Sequence, residues 1–283
     1  MGAVPVNRGE ERRIILHCDD FGLALCANDG VEQALTTGIA TSASVMMPCP
    51  WAYDAVRRAT AHPEWAVGIH LTFSAEWPRY RWRPILSPER VPGLYGPDGF
   101  MWPRGGDVPA HASAQEVFAE ALAQVELAQA WGLRPGHLDV HMGVMYQPEF
   151  RDVYLALAER LGLPLRMPDR REAWPPDGPG ATATVGIRDE ARRCGLRFPD
   201  YMAHYGRLPH EDMAGFLVRV LETLPVGTTE RFFHPAVDTP ELRGMTQGGA
   251  DRVEDLRVLT ENVEVRRVLA ERDIRRVSYR DLA

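Results

Sequence analysis

Short apolar runs alternate along this chain with stretches whose apolar residues recur every three to four positions. The apolar, β-branched runs predict strands at 13–18, 42–47, 66–73, 137–141, 164–167, 231–234 and 276–279. The helical spacing predicts helices at about 24–37, 51–61, 113–131, 148–161, 210–223 and 251–271. Gly38 stops the first helix, and Gly132 with Pro135 stops the third. Ser113 and Glu116 have the spacing of a capping box. Strand-then-helix alternation predicts an α/β protein, with parallel strands inside a layer of helices. No GxGxxG follows the first strand, so a doubly wound open sheet is the weaker alternative. A deformed, TIM-barrel-like (β/α) barrel with long loops after its strands is expected. No clean linker divides the chain, so one domain over 1–283 is expected, with 1–12 as a flexible N-terminus.

Two stretches break the pattern. Residues 74–112 are rich in Pro, Gly, Trp and Tyr without a period, and residues 169–188 are similar. Loops of this length in a compact domain are usually functional or disordered. The aromatic content of the first argues for order, and 74–112 is expected to be a substrate loop.

Composition narrows the classes. An apolar fraction of 45% and a charged fraction of 25% suit an ordinary globular protein. The net charge of -7 argues against nucleic acid as a partner. All 32 basic residues are arginine, which excludes Schiff-base and P-loop lysine chemistry. Cys18, Cys26, Cys49 and Cys194 form no CxxC pair, so a reducing, cytoplasmic setting is the simplest expectation. The polar N-terminal stretch lacks the apolar segment of a signal peptide, and no 18-residue apolar run predicts a membrane span. Homo-oligomer formation through an apolar helix face is left open.

Polar residues interrupt the strands at telling places. Asp19 and Asp20 end the first apolar run, just before Phe21-Gly22. Two adjacent carboxylates repel unless a cation or a shared proton offsets them. His70 interrupts the third strand, and His234 closes the sixth. His137, Asp139 and His141 alternate, so they share one strand face. A barrel gathers strand ends on one rim. One carboxylate and two imidazoles form a common set for a divalent cation with open positions, which lowers the pKa of a water. Amide hydrolysis then needs a base and an acid, and the unused aspartate and His234 are candidates.

These residues sit in blocks that resemble the YdjC-like carbohydrate deacetylase family. The blocks are Asp19-Asp20-Phe21-Gly22, Thr41-Ser42, Gly68-Ile69-His70-Leu71, His137-Leu138-Asp139-Val140-His141, His234-Pro235-Ala236 and Ser278 to Asp281, in order along nearly the whole chain. The resemblance implies a deformed barrel that removes an N-acetyl group from an amino sugar or related small carbohydrate. It implies Asp20, His70 and His141 as ligands of one divalent ion, zinc or magnesium first, with manganese, cobalt and nickel as alternatives. It implies Asp19 as general base and His234 as acid. After His141 the sequence runs Met142-Gly143-Val144-Met145, where the family continues with further histidines, so the adjoining pocket differs. Glu76, Trp77, Arg79 and Trp82 in the long loop, together with Asp139, are candidate sugar contacts. Two other readings remain: a metal-dependent phosphoesterase using Arg79 or Arg81, and a non-catalytic sugar-binding relative.

Overall fold

The structure is a computed structural model and describes residues 11–168, 186–203, 208 and 210–282. Its centre is a curled parallel sheet of seven strands in the order β4-β3-β2-β1-β6-β5, with β7 beside the start of β1. The strands are β1 (Arg12–Phe21), β2 (Ser42–Val45), β3 (Ala66–Leu71), β4 (Leu138–Val140), β5 (Tyr201–Met202), β6 (Gly227–Phe233) and β7 (Arg275–Arg276). Helices α1 (Leu25–Thr36), α2 (Ala52–Ala61), α3 (Ala114–Ala130) and α4 (Arg151–Leu161) follow the first four strands. This is a half-barrel with surrounding helices, in line with the deformed (β/α) barrel expected.

Alternation along each strand explains the layers. Ile14, Leu16 and Cys18 of β1, with Val67, Ile69 and Leu71 of β3, face the helices and build the main apolar core. The opposite face is polar. His17, Ser42, Ser44, His70, His137, Asp139 and Glu230 are all buried there. Tyr279 closes the floor, stacking on His137 at 3.9 Å and donating to Glu230 Oε2 at 2.6 Å. Gly68 is required at its place in β3, because a Cβ there would lie 2.5 Å from the His137 ring.

Several elements depart from expectation. The segment 164–167 is reduced to one parallel bridge between Leu165 and Leu138. Strand β6 begins at Gly227, through the polar residues Thr228 to Arg231, since Glu230 faces the polar interior. The long helix expected over 251–271 is two helices, Gly249–Thr260 and Val263–Glu271. Asn262 separates them, its side chain capping the second at Val265 N (2.9 Å). Short helices Ile187–Arg193 and Pro240–Met245 were not anticipated. The capping box at Ser113 is present, with both halves formed. Arg12 already belongs to β1, paired with Gly227. Residues 1–10 of the expected flexible N-terminus, and 169–185 of the second long loop, lie outside the described residues.

The 74–112 stretch folds over the rim. Glu120 of α3 accepts the backbone N–H groups of Ile85 and Leu86, and Glu116 accepts that of Gly93. Trp77, Trp82 and Met101 pack with Leu23, Met46 and Leu242 as a second apolar cluster. No helix among the described residues is long and apolar enough to cross a membrane.

Candidate active site

Asp19 and Asp20 are neighbours in β1, yet both reach the site. A regular strand would send them to opposite faces. Asp20 instead has φ of 63°, and the β1–β2 register shifts between Cys18 and Phe21. This bulge turns the Asp20 side chain back toward the barrel mouth. A non-glycine residue in the left-handed region carries strain, as is common at functional sites.

An arginine answers each half of the carboxylate pair. Arg166 donates to Asp19 through Nη1 (2.8 Å) and Nη2 (2.7 Å), and through Nε to Glu230 (2.9 Å). Burial pushes the Asp19 carboxyl up, but Arg166 and His70 outweigh it and hold it down at about 2. Arg252 Nη2 donates to Asp20 Oδ2 at 2.6 Å. Burial opposes ionisation here too, and Arg252 with His141 holds the Asp20 carboxyl well below the usual range.

Asp20 Oδ1 is buried and has no hydrogen-bond partner. It lies 3.5 Å from His70 Nε2 and 3.5 Å from His141 Nδ1. The far nitrogen of each imidazole is occupied: His70 Nδ1 donates to Asp139 Oδ1 at 2.7 Å, and His141 Nε2 to Glu76 Oε2 at 2.9 Å. Carboxylates on the outer nitrogens orient both rings so that Nε2 of His70 and Nδ1 of His141 face Asp20. These three donors therefore fit a divalent cation. Among the described residues, two other groups of buried His and Asp lie close enough to hold one, His17–His137–Asp139 and Asp19–His70–Asp139. Their carboxylates are already engaged, Asp139 by His70, Ser44 and His17, and Asp19 by Arg166. Without a cation, desolvation lowers His141, but Glu76 and Asp20 outweigh it and raise it to about 10.

His234 stands across the mouth, its Nε2 3.8 Å from Asp19 Oδ2 and about a third of its side chain open to solvent. Desolvation by the walls lowers its imidazole below the ordinary range, with Arg252 adding to the effect against Asp20 and Asp19. Around the site, Asp19, Asp20, Glu76, Asp139 and Glu230 are five carboxyl groups against two guanidiniums, Arg166 and Arg252. That imbalance favours a dication.

The expected sugar contacts are placed differently from one another. Asp139 is wholly buried beneath His70. Glu76 is on His141. Trp82 is 3% exposed and donates its indole N–H to Ser74 O at 2.9 Å. Trp77 carries the Arg252 guanidinium over its ring at 5.0 Å. Arg79 is exposed. Arg81 is tied to Asp98 and to Met101 O. Sequence reasoning missed Arg166 and Arg252. A lone charge in Leu163-Pro164-Leu165-Arg166-Met167 was a signal for the first; the second is one polar residue among many on its helix.

A parallel half-barrel whose strand ends bring one buried carboxylate against two oriented imidazoles defines a barrel protein with a site that could hold a metal ion. The YdjC-like protein family matches residues 13–271, and the chain belongs to that family. It is 33% identical over 272 residues to a carbohydrate deacetylase of Geobacillus stearothermophilus, covering 95% of this chain and 98% of the relative. It is 36% identical over 267 residues to a carbohydrate deacetylase of Thermus thermophilus, covering 93% and 91%. Among solved structures, a putative cellobiose-phosphate cleavage protein of Enterococcus faecalis superposes with a TM-score of 0.82 at 26% identity, covering 96% and 99%.

Proposed function

We propose that this protein is a metal-dependent hydrolase that removes the acetyl group from an N-acetylated sugar or related small carbohydrate. The observation that carries the reading is Asp20 Oδ1, a buried and partnerless carboxylate oxygen facing two oriented imidazole nitrogens. Asp20, His70 and His141 are the ligands. Nitrogen donors favour zinc over magnesium, which prefers oxygen. The carbohydrate deacetylases among the relatives support the substrate class.

A bound dication lowers the pKa of a water and polarises the scissile carbonyl. Asp19 is held ionised by Arg166 at any physiological pH, so it has a free carboxylate for the water's proton, and loosening of the Arg166 contact raises its basicity as it takes that proton. His234 is neutral at rest, so the proton it delivers to the leaving amine is one it first receives. Asp19 Oδ2 and His234 Nε2, 3.8 Å apart, are one small movement from the contact that passes it on. Glu76 and Asp139 hold the ligand imidazoles in place rather than touching the reacting atoms. Trp77, beneath the Arg252 guanidinium, and Trp82, with its ring 6.0 Å from that of His141, lie beside the ligand set, and with Arg79 they are the side chains we assign to sugar binding. The free thiols at Cys18, Cys26, Cys49 and Cys194 support a reducing, cytoplasmic setting.

The test is acetate release from a panel of N-acetylated mono- and disaccharides after stripping and restoring metal. Activity only in the metal-loaded protein, lost in Asp20→Ala and His141→Ala, is expected. Full activity in either variant overturns the assignment.

A further inference from the structure

One turn of a single helix holds both halves of this site. Helix Gly249–Thr260 packs behind the mouth, and Arg252 and Asp255, three residues apart, lie on the same face. Arg252 donates Nη2 to Asp20 Oδ2 at 2.6 Å, at the end of β1. Its backbone carbonyl accepts the Ala236 N–H at 3.1 Å, just past the end of β6. Asp255 Oδ2 accepts the His234 N–H at 2.7 Å. The Arg252 guanidinium lies over the Trp77 ring, which limits its freedom to swing.

We infer that the Arg252–Asp255 turn is a positioning clamp that sets the Asp20 carboxylate and the His234 segment against each other. The inference rests on the metal reading above. Asp20 and His234 come from strands β1 and β6, and neither side chain contacts the other through a hydrogen bond. The β1–β6 pairing ends at Cys18 with Phe233, and beyond it, where Asp20 leaves the regular strand, the clamp adds a second link between the two ends. By occupying Oδ2, Arg252 leaves Asp20 only Oδ1 to offer toward His70 and His141, which fixes one oxygen as the donor. By accepting the His234 N–H, Asp255 fixes the backbone from which the imidazole projects to within 3.8 Å of Asp19.

Charge alone and orientation predict opposite results for Arg252, and this makes the clamp testable. A guanidinium beside the site repels a dication, so removing it should tighten binding if charge were its only effect. If it orients Asp20, removing it should weaken binding, as loss of a group that orients a ligand typically costs ten- to a hundredfold.

Zinc alone is titrated calorimetrically into metal-free parent, Arg252→Met, Arg252→Lys, Asp255→Ala and Asp255→Asn proteins, each checked for folding by circular dichroism. Acetate release then gives kcat and KM on an N-acetylated disaccharide that the parent turns over. Arg252→Met is expected to weaken zinc binding about ten- to a hundredfold, with partial recovery in Arg252→Lys. Asp255→Ala is expected to keep zinc affinity within about threefold and lower kcat at least about tenfold with KM unchanged. Asp255→Asn retains an oxygen acceptor for the His234 N–H and is expected to recover most of kcat. Zinc binding in Arg252→Met equal to or tighter than the parent, or parental kcat in Asp255→Ala, overturns the clamp. If Arg252→Met fails to fold, Arg252→Leu takes its place, and zinc affinity equal to or tighter than the parent in that variant does the same. A parent that binds no zinc overturns the metal reading itself, whereas a zinc-binding parent with indifferent variants overturns the clamp alone.

Discussion

Replacing Arg166 with methionine should be among the most damaging single changes in this barrel. The Arg166 side chain is 3% exposed. It binds Asp19 with two nitrogens and Glu230 with a third, lies 3.3 Å from Asp139, and stacks over Phe232 at 4.5 Å. Methionine keeps the apolar stem and the contact with Phe232 but removes the guanidinium. Three buried carboxyl groups are then left without their common cation. The Asp19 pKa, held at about 2 against an ordinary 3.8, corresponds to ~2–3 kcal/mol for that group alone. Adding the loosened contacts to Glu230 and Asp139 places the total at about 3–5 kcal/mol, the usual cost of breaking a buried ion-pair network. A chain of this length unfolds with an entropy of roughly 0.6 kcal/mol per degree, so the melting temperature should fall by about 5–8 °C. Urea unfolding at neutral pH and calorimetry read both quantities. The Asp19 contribution is fully present above its unfolded pKa of 3.8 and is lost as pH falls through about 2. The gap between parent and variant should therefore narrow between about pH 4 and 2. A loss below about 1 kcal/mol at neutral pH, or a gap that widens on acidification, would refute the electrostatic reasoning.

Two further consequences are testable. Because Glu76 and Asp20 raise His141 to about 10 without a cation, metal binding at neutral pH should release about one proton. Calorimetry in buffers of different ionisation enthalpy should show that proton, and zinc affinity should rise about tenfold per pH unit below 10 until another ligand titrates; pH-independent affinity contradicts this account of His141. In α1, Gly30 packs against the segment after His234, where a Cβ would lie 2.7 Å from Pro235 O and 2.8 Å from Ala236 Cα. Gly30→Ala gains about 1 kcal/mol of helix propensity, but the backbone clash costs about 1–3 kcal/mol and displaces the His234 segment. The variant should lose more in kcat than in melting temperature, and unchanged turnover would show that the segment yields freely.

The barrel was legible because its strands alternate so regularly. His137, Asp139 and His141 could be assigned to one face from spacing alone, and they do share it. The adjacency of Asp19 and Asp20 was legible as a signal but not as a geometry, because a period of two sends neighbours apart. Only the left-handed turn at Asp20 brings both to the mouth, and aspartate in that conformation leaves no mark in the sequence. Strand β6 was seen only in its apolar second half, since its first half faces the polar interior. The two arginines were hidden for another reason. Their partners lie 147 and 232 residues away in the chain, and no local pattern encodes a contact of that span. The break at Asn262 is hidden in the sequence because the apolar period continues across it into the next helix.

The central claim is that Asp20, His70 and His141 together hold a divalent cation at the barrel mouth. Crystals of the protein loaded with zinc, measured on both sides of the zinc absorption edge, test it directly. The account predicts an anomalous peak within about 2.0–2.3 Å of Asp20 Oδ1, His70 Nε2 and His141 Nδ1. A peak held instead by His17, His137 and Asp139, or no peak at the mouth at saturating zinc, contradicts it.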